Sequence, residues 1–340
     1  MSSMKDVADM AHVSQATVSR VLSGHPSVKP DTKKRVLQCI KKLNYQPNIA
    51  ARKLAGGNTG LIGIILPEIS NPFYGEILHA IEEQADFEGY SIIVCCTDRD
   101  LNREKNILNK LQALKVDGII TMPVSTENSR QAYQKLDIPI IVATKQMEGF
   151  SSVSVSHYSA GKRIARYLLE LGYERIGYVG STAPDSASIM KLKGFQDYLN
   201  NAGFEMTDLI GSRSSASVTT SSMQKLVSKY LQKNGLHSDA LFACDDVTAC
   251  ETIHALIQAG YQVPDDVAVV GFDNSLLARK MTPSVSSLAQ PLGEIGRRAV
   301  DMLVRRINHE TDEIELLELR TRIITRDSSS AFRKLEGNDR

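Results

Sequence analysis

At 340 residues the chain is long enough for two or three domains, and its 42% hydrophobic and 23% charged content is that of an ordinary globular protein, not a disordered or fibrous one. No apolar run approaches the about 18 to 20 residues that a membrane span needs, no signal-peptide pattern opens the sequence, and the scattered Cys39, Cys95, Cys96, Cys244 and Cys250 lack metal-ligand spacing, so the reading is a reduced, cytoplasmic protein without membrane or metal. The net charge of +1 conceals an asymmetry: residues 1–60 hold ten Lys and Arg against Asp6, Asp9 and Asp31, a balance of +7 that leaves −6 for the remainder, and so basic a module suits a polyanion.

In chain order, Asp6 to Gly24 comes first. Val7, Ala8 and Ala11 lie on one face of a first helix, and Val18, Val21 and Leu22 recur at helical spacing on a second. A short turn separates them, which is helix-turn-helix grammar. Ser14 is placed to cap the second helix, so that Gln15, Ala16 and Arg20 project outward from its first turns. Pro30 starts a third helix running to about Leu43, with Val36, Ile40 and Leu43 as its apolar stripe and Lys33, Lys34, Lys41 and Lys42 left for solvent or phosphate. Pro47 breaks that helix, Asn48 can cap another, and Gly56-Gly57 ends it after about two turns. Isolated helices shorter than about 12 to 15 residues are marginal in water, so this one is a candidate order-disorder switch that forms when docked.

From Leu61 the texture changes to apolar strands alternating with amphipathic helices. Strands are expected at Leu61 to Leu66, Ser91 to Cys95, Gly118 to Met122 and Pro139 to Ala143, with helices near Phe73 to Phe87, Leu101 to Leu114 and Glu127 to Lys135. A second series has strands near Arg175 to Val179, Ala240 to Ala243 and Val267 to Phe272, among helices near Ser159 to Leu171, Ser188 to Ala202, Val218 to Lys233 and Asp246 to Ala259. The economical result is an α/β core of two lobes, each a doubly wound parallel sheet. A last helix at about Pro291 to Asn308, a strand-like Leu316 to Thr325 and a polar end complete the chain. The expected division is a helix-turn-helix head over 1–46, a hinge over 47–57, a two-lobed core over 58–328 and a tail over 329–340.

With these residues on the page, the chain resembles the lactose repressor/galactose repressor family of bacterial transcription regulators. The resemblance rests on Asp6 to Gly24, on Leu43-Asn-Tyr-Gln-Pro-Asn48 with Leu54-Ala-Gly56, on Pro72-Phe-Tyr74 and on Val269-Val-Gly-Phe-Asp273. It extends to about Ser328 and implies a periplasmic-binding-protein-like core. It further implies that the helix from Gln15 enters the major groove of a double-stranded DNA operator. Gln15 and Ala16 would set sequence preference, with Arg20 as a further base reader. Gln can pair with adenine, Ala can touch a thymine methyl and Arg can fork onto guanine, while Ser14, Thr17 and Ser19 suit phosphates or simply water. In the hinge it implies that Leu54 from each of two subunits wedges into the minor groove with Asn48, Ala51 and Ala55 alongside, at an unstacking cost offset by contacts the bend allows.

In the core the resemblance points to an effector cleft between the lobes, lined by Asn71, Phe73, Tyr74, Lys191, Asp245, Asp273 and Gln290. Carboxylates beside an aromatic face suit a carbohydrate, free or phosphorylated. Taken as residues alone, Phe73 or Tyr74 can instead be lobe core, and Asp245 or Asp246 can instead cap the following helix. Lys191 stands where Arg is usual, Asp245 where Asn is common and Ser156-His157 where Asp-Asn is frequent; His12 replaces the usual turn glycine. The resulting expectation is a homodimeric regulator, most readily a repressor of carbohydrate genes, acting on a pseudo-palindromic operator. No cofactor or enzymatic activity is expected, since no phosphate loop, metal cluster or nucleophile elbow is present. A solute-binding protein would share the core but not the basic head.

Overall fold

The computed structural model describes residues 3–22, 27–44, 58–183, 187–212 and 220–329. The hinge residues Asn48, Ala51, Leu54 and Ala55 lie outside them, as does nearly all of the expected tail.

The N-terminal unit is built from α1 (Met4–Ala11), α2 (Gln15–Leu22) and α3 (Pro30–Lys42). Ser3 and Asp6 form a reciprocal cap on α1: the Asp6 amide donates to Ser3 Oγ at 3.2 Å, and the Ser3 amide to Asp6 Oδ2 at 2.7 Å. His12 ends the helix in the left-handed region, φ 50 and ψ 51, a conformation His tolerates better than most residues. Ser14 then caps α2 through its Oγ, which accepts the Thr17 amide at 3.2 Å. Val7, Ala8, Ala11, Val18, Val21, Val36 and Cys39 pack as one small core, with Ile40 and Leu43 at its margin. Cys39 belongs to that core by its helical spacing from Val36. Past the hinge, the Thr59 and Gly60 amides donate to the Asp117 carboxylate at 2.9 and 2.7 Å and fix the entry to the first strand.

The larger unit contains two six-stranded sheets. The first runs β11-β5-β4-β3-β1-β2 and draws on β1 (Leu61–Leu66), β2 (Ser91–Cys96), β3 (Gly118–Thr121), β4 (Ile140–Ala143), β5 (Ser151–Val155) and β11 (Leu316–Leu319). The second runs β12-β10-β9-β8-β6-β7, from β6 (Ile176–Ser181), β7 (Leu209–Ser212), β8 (Ala240–Ala243), β9 (Ala268–Asp273), β10 (Ser286–Ala289) and β12 (Arg322–Ile324). Helices α4 (Pro72–Phe87), α5 (Leu101–Ala113) and α6 (Arg130–Gln134) belong to the first series; α7 (His157–Glu170), α8 (Ala187–Asn201), α9 (Thr220–Asn234), α10 (Asp246–Gln258) and α11 (Leu276–Lys280) to the second; α12 (Leu292–Ile307) follows β10. The central strands are buried on both faces, which is why Ile62 to Leu66 reads as a continuous apolar run.

Several expectations need correction. The strand-like Leu316 to Thr325 is two strands, β11 parallel to β5 in the first sheet and β12 antiparallel to β10 in the second. The break falls where the Thr321 carbonyl accepts Arg163 Nη1 at 2.5 Å. β5 and β10 have no counterpart in the sequence reading because their buried residues are largely serines. Several of their hydroxyls meet partners that the sequence does not display, as when Ser151 Oγ accepts the Glu315 amide at 3.0 Å and Ser287 Oγ donates to Asp246 at 2.7 Å, while the buried Ser152 Oγ has no hydrogen-bond partner among the described residues. The helix expected from Glu127 begins only at Arg130, because the buried Glu104 carboxylate takes the Val124 amide at 3.1 Å and the Ser129 hydroxyl and so holds the preceding turn.

The chain passes between the sheets after β5, after β10 and between β11 and β12. Helix α12 therefore packs on α4, β3, β4 and β5 of the first lobe although it follows the second. Helices α7 and α8 cross unusually closely. A Cβ at Gly161 would lie 2.0 Å from the Lys191 carbonyl oxygen, and one at Gly194 would lie 2.0 Å from that of Tyr158. Glycine is what permits this crossing, and the crossing sets Lys191 beside the start of α7.

Candidate functional site

On the head, Ser14, Gln15, Ala16 and Arg20 are exposed, Thr17 and Ser19 are half-buried, and Val18 and Val21 face the core. The Ser14 and Thr17 hydroxyls lie 3.0 Å apart. Both are part of the cap, and this stiffens the turn that presents Gln15 and Ala16. Lys33, Lys34, Lys41 and Lys42 are exposed along α3. Chemically, the unit offers two side chains able to form bidentate hydrogen bonds, Gln15 and Arg20, on a short rigid helix flanked by ammonium groups.

In the core, parallel strands bring their C-terminal ends together, and the loops leaving those ends carry the remaining candidates. Asn71 caps α4, its Oδ1 accepting the Phe73 amide at 3.0 Å. Phe73 is 8% exposed and belongs to the apolar core. It meets Tyr74 edge to face at 5.0 Å, leaving Tyr74 as the aromatic group at the cleft. Burial pushes the Tyr74 phenol up to about 12, opposed by Arg99 and reinforced by Glu68, Asp273 and Asp245, so its hydroxyl keeps its proton at neutral pH. Arg99, on the loop after β2, donates to Glu68 Oε1 at 2.6 Å, and Asp245 of the second lobe adds to the negative field around it.

The second lobe contributes buried groups. Lys191 is 5% exposed; its Nζ donates to the Cys244 carbonyl at 2.7 Å and stands 3.5 Å from the centroid of the Phe272 ring. Asp273 has φ 112, a left-handed backbone that turns the chain at the end of β9. Its Oδ1 accepts Gln290 Nε2 at 2.7 Å. Burial raises the Asp273 carboxyl well above the usual carboxylate range, against the pull of Lys191. Gln290 Oε1 is buried and has no hydrogen-bond partner among the described residues. Asp245 caps α10, accepting the Thr248 amide at 2.7 Å. Asp246 is a brace: its carboxylate takes the Ser275 amide at 2.6 Å and the Ser287 hydroxyl at 2.7 Å.

Tyr74, Lys191, Asp273 and Gln290 are thus brought together, while Asn71 and Asp245 each commit one oxygen to a helix cap and Phe73 is packed into the lobe. Two residues absent from the candidate set belong with them. One is Arg99, with its partner Glu68. The other is His157, which begins α7 just past β5. Its ring stands 5.9 Å from that of Phe272, its Nε2 is 3.1 Å from the Thr144 carbonyl, and its buried Nδ1 has no partner among the described residues. Burial, with Lys191 adding to it, pushes the imidazole down to about 3, so it is neutral at physiological pH. The signal for His157 was its place at a strand end, hidden because β5 is rich in serine.

The lobes also touch directly. Glu76 on α4 accepts the Leu276 amide at 2.6 Å and pairs with Arg279 at 3.2 Å, both partners on α11. Among the described residues no helix is long and apolar enough to cross a membrane, and no group of His, Cys, Asp and Glu could hold a metal.

A profile of bacterial regulatory proteins of the lacI family matches residues 3–48, and one of a periplasmic binding protein-like domain matches residues 165–329. The catabolite control protein A of Priestia megaterium is 34% identical over 328 residues, 95% of this chain and 98% of that protein. The ribose operon repressor of Halalkalibacterium halodurans is 31% identical over 330 residues, 97% of each. A solved complex of the transcriptional regulator CelR with cellobiose has a TM-score of 0.71 at 26% identity, covering 96% of this chain and 100% of that one.

Proposed function

Because the chain belongs to the lacI family of bacterial regulatory proteins, we propose that it represses genes of carbohydrate uptake or catabolism, as a homodimer on a pseudo-palindromic operator controlled by a sugar or sugar phosphate. The observation that carries this reading is the interlobe group of Tyr74, Lys191, Asp273 and Gln290 in the same chain as an exposed reading helix. The relatives named for a ribose operon and for a cellobiose complex support the class of effector.

In this reading Gln15, Ala16 and Arg20 read bases, Ser14, Thr17 and Ser19 approach phosphates, and the hinge around Leu54 forms on the minor groove, with Asn48, Ala51 and Ala55 beside the wedge. Effector binding changes the angle between the lobes and with it the spacing of the two hinges, so the hinge shifts between folded and unfolded populations. Linkage then requires that operator DNA change effector affinity by the same factor as effector changes operator affinity.

The test is selection of a binding site from random duplex DNA, followed by titration of that duplex with and without sugars. A site of two inverted half-sites whose affinity moves with a bound sugar is the expected result. A sugar that binds the protein yet leaves operator affinity unchanged would remove the regulatory half of the proposal. Leu54→Ala is expected to reduce operator bending in a circular-permutation gel, and unchanged bending would remove the wedge.

A further inference from the structure

We infer that Asp117 is the anchor of the hinge: its carboxylate fixes the point at which the chain enters the core, so that operator binding depends on a residue outside both the reading helix and the interlobe group. This rests on the hinge reading above and adds a positioning residue to it.

Asp117 stands immediately before β3 and is 5% exposed. Its Oδ1 accepts the Thr59 amide at 2.9 Å and its Oδ2 the Gly60 amide at 2.7 Å, while its own amide donates to the Leu61 carbonyl at 2.8 Å. Thr59, also 5% exposed, adds a fourth tie through its hydroxyl, which donates to the Lys115 carbonyl at 3.1 Å. The paired residues of β1 and β3 begin at Ile62 and Gly118, so all four bonds precede the ladder. Burying a carboxylate is unfavourable unless it is hydrogen-bonded. Here both oxygens are committed to the stretch of chain just past the expected hinge. The two sides of this clamp hold a left-handed backbone, Gly60 at φ 73 and Lys115 at φ 56. For Lys that conformation has a cost, which the surrounding bonds offset.

The clamp matters because the leash beyond it is short. The expected hinge ends at Gly57, two residues before Thr59, and two residues span at most about 7 Å. With Thr59 held, the end of the hinge has to follow a displacement of the strand start; with Thr59 released, slack in the chain absorbs it. The strand start is in turn tied to the cleft. Gly118, next after Asp117, lies against α12, where a Cβ would stand 2.7 Å from Leu303 Cδ1. That helix starts at Leu292, whose amide donates to the Gln290 carbonyl at 2.9 Å, and Gln290 is the cleft residue bonded to Asp273. Leu303 lies 11 residues further on, about 16 Å along the helix axis. One helix therefore runs from the interlobe group to the strand that Asp117 precedes, a contiguous physical link.

The experiment sets Asp117→Asn and Thr59→Val beside the parent full chain, in anisotropy titrations of the selected duplex and in calorimetry with ribose, glucose and cellobiose. Asn keeps one acceptor and turns an N–H toward a backbone amide, so one donor is left unmatched. Asp117→Asn is expected to bind the duplex about tenfold more weakly or worse, the scale of one or two backbone residues that must be ordered again on binding. Its affinity for a sugar that binds the parent should stay within about twofold, and the factor by which that sugar shifts duplex affinity should fall toward one. Thr59→Val removes only the hydroxyl tie and is expected to weaken the duplex by about threefold, which decides the matter if Asp117→Asn does not fold. A lower melting transition with parental duplex affinity overturns the inference, because a purely structural carboxylate behaves so. Equal losses of duplex and sugar affinity overturn it as well. A parent chain whose duplex affinity no sugar moves removes the effector reading, and the duplex affinities of the variants still decide the inference. A parent that selects no duplex removes the operator reading and the inference with it.

Discussion

The reading helix and the interlobe site are built on opposite principles. In the head the candidate base readers Gln15, Ala16 and Arg20 are exposed, close in sequence and carried on a helix whose cap is satisfied, as the Ser14 and Thr17 pair shows. In the core the candidates are drawn from Glu68 to Gln290, range from exposed at Arg99 to buried at Lys191, Asp273 and Gln290, and include polar atoms that have no partner among the described residues. A surface that reads a stiff external polymer gains from presenting side chains that are already rigid. A site that must respond to a small molecule gains from holding back hydrogen bonds that only the ligand completes.

The largest test of that contrast is Val18→Asp, which buries a carboxylate in the head core and is expected to cost about 3 to 5 kcal/mol. Operator binding should be lost in anisotropy titrations while calorimetric sugar binding persists, and joint loss would show that the two regions do not fold independently. Gly161→Ala attacks the core instead. Its Cβ has no space against the Lys191 carbonyl, so a loss of about 3 kcal/mol is expected. A lower melting transition of the core and weaker sugar binding should follow, and an unchanged melt would refute the close crossing of α7 and α8. Arg20→Ala is expected to cost about 1 to 3 kcal/mol at one operator position and relax specificity there. An even loss across all sequences would make it a phosphate contact. Ser14→Ala removes the cap of α2 and should cost about 1 kcal/mol of head stability with little change in sequence preference. A changed preference would show that Ser14 touches bases.

Much of the head was legible because its determinants are local. Val7, Ala8 and Ala11 against Val18 and Val21 specify two helix faces, and Ser14 and Pro30 mark starts that the backbone respects. The Ser3 and Asp6 cap was missed although its spacing is a standard signal. In the core, apolar runs such as Ile62 to Leu66 declared themselves, whereas Ser151 to Val155 and Ser286 to Ala289 did not. Serines such as Ser151 and Ser287 are buried where tertiary partners far away in sequence take up their hydroxyls. The same blindness left His157 noted only as a departure from the family pattern and outside the candidate set. Phe73 and Asp245 carry structural roles that motif position does not display, one packed in the lobe core and the other capping a helix.

The return of the chain to the first lobe after β10 bears on how the protein is made. A ribosome delivers the head first and nearly the whole of the first sheet soon after, but the face of α4 stays uncovered until α12 emerges, and β5 stays an edge until β11 follows. Domains tend to fold as they are completed during synthesis. The lobe that is written first is therefore finished last, and a nascent chain carries the whole helix-turn-helix head well before it has a complete core.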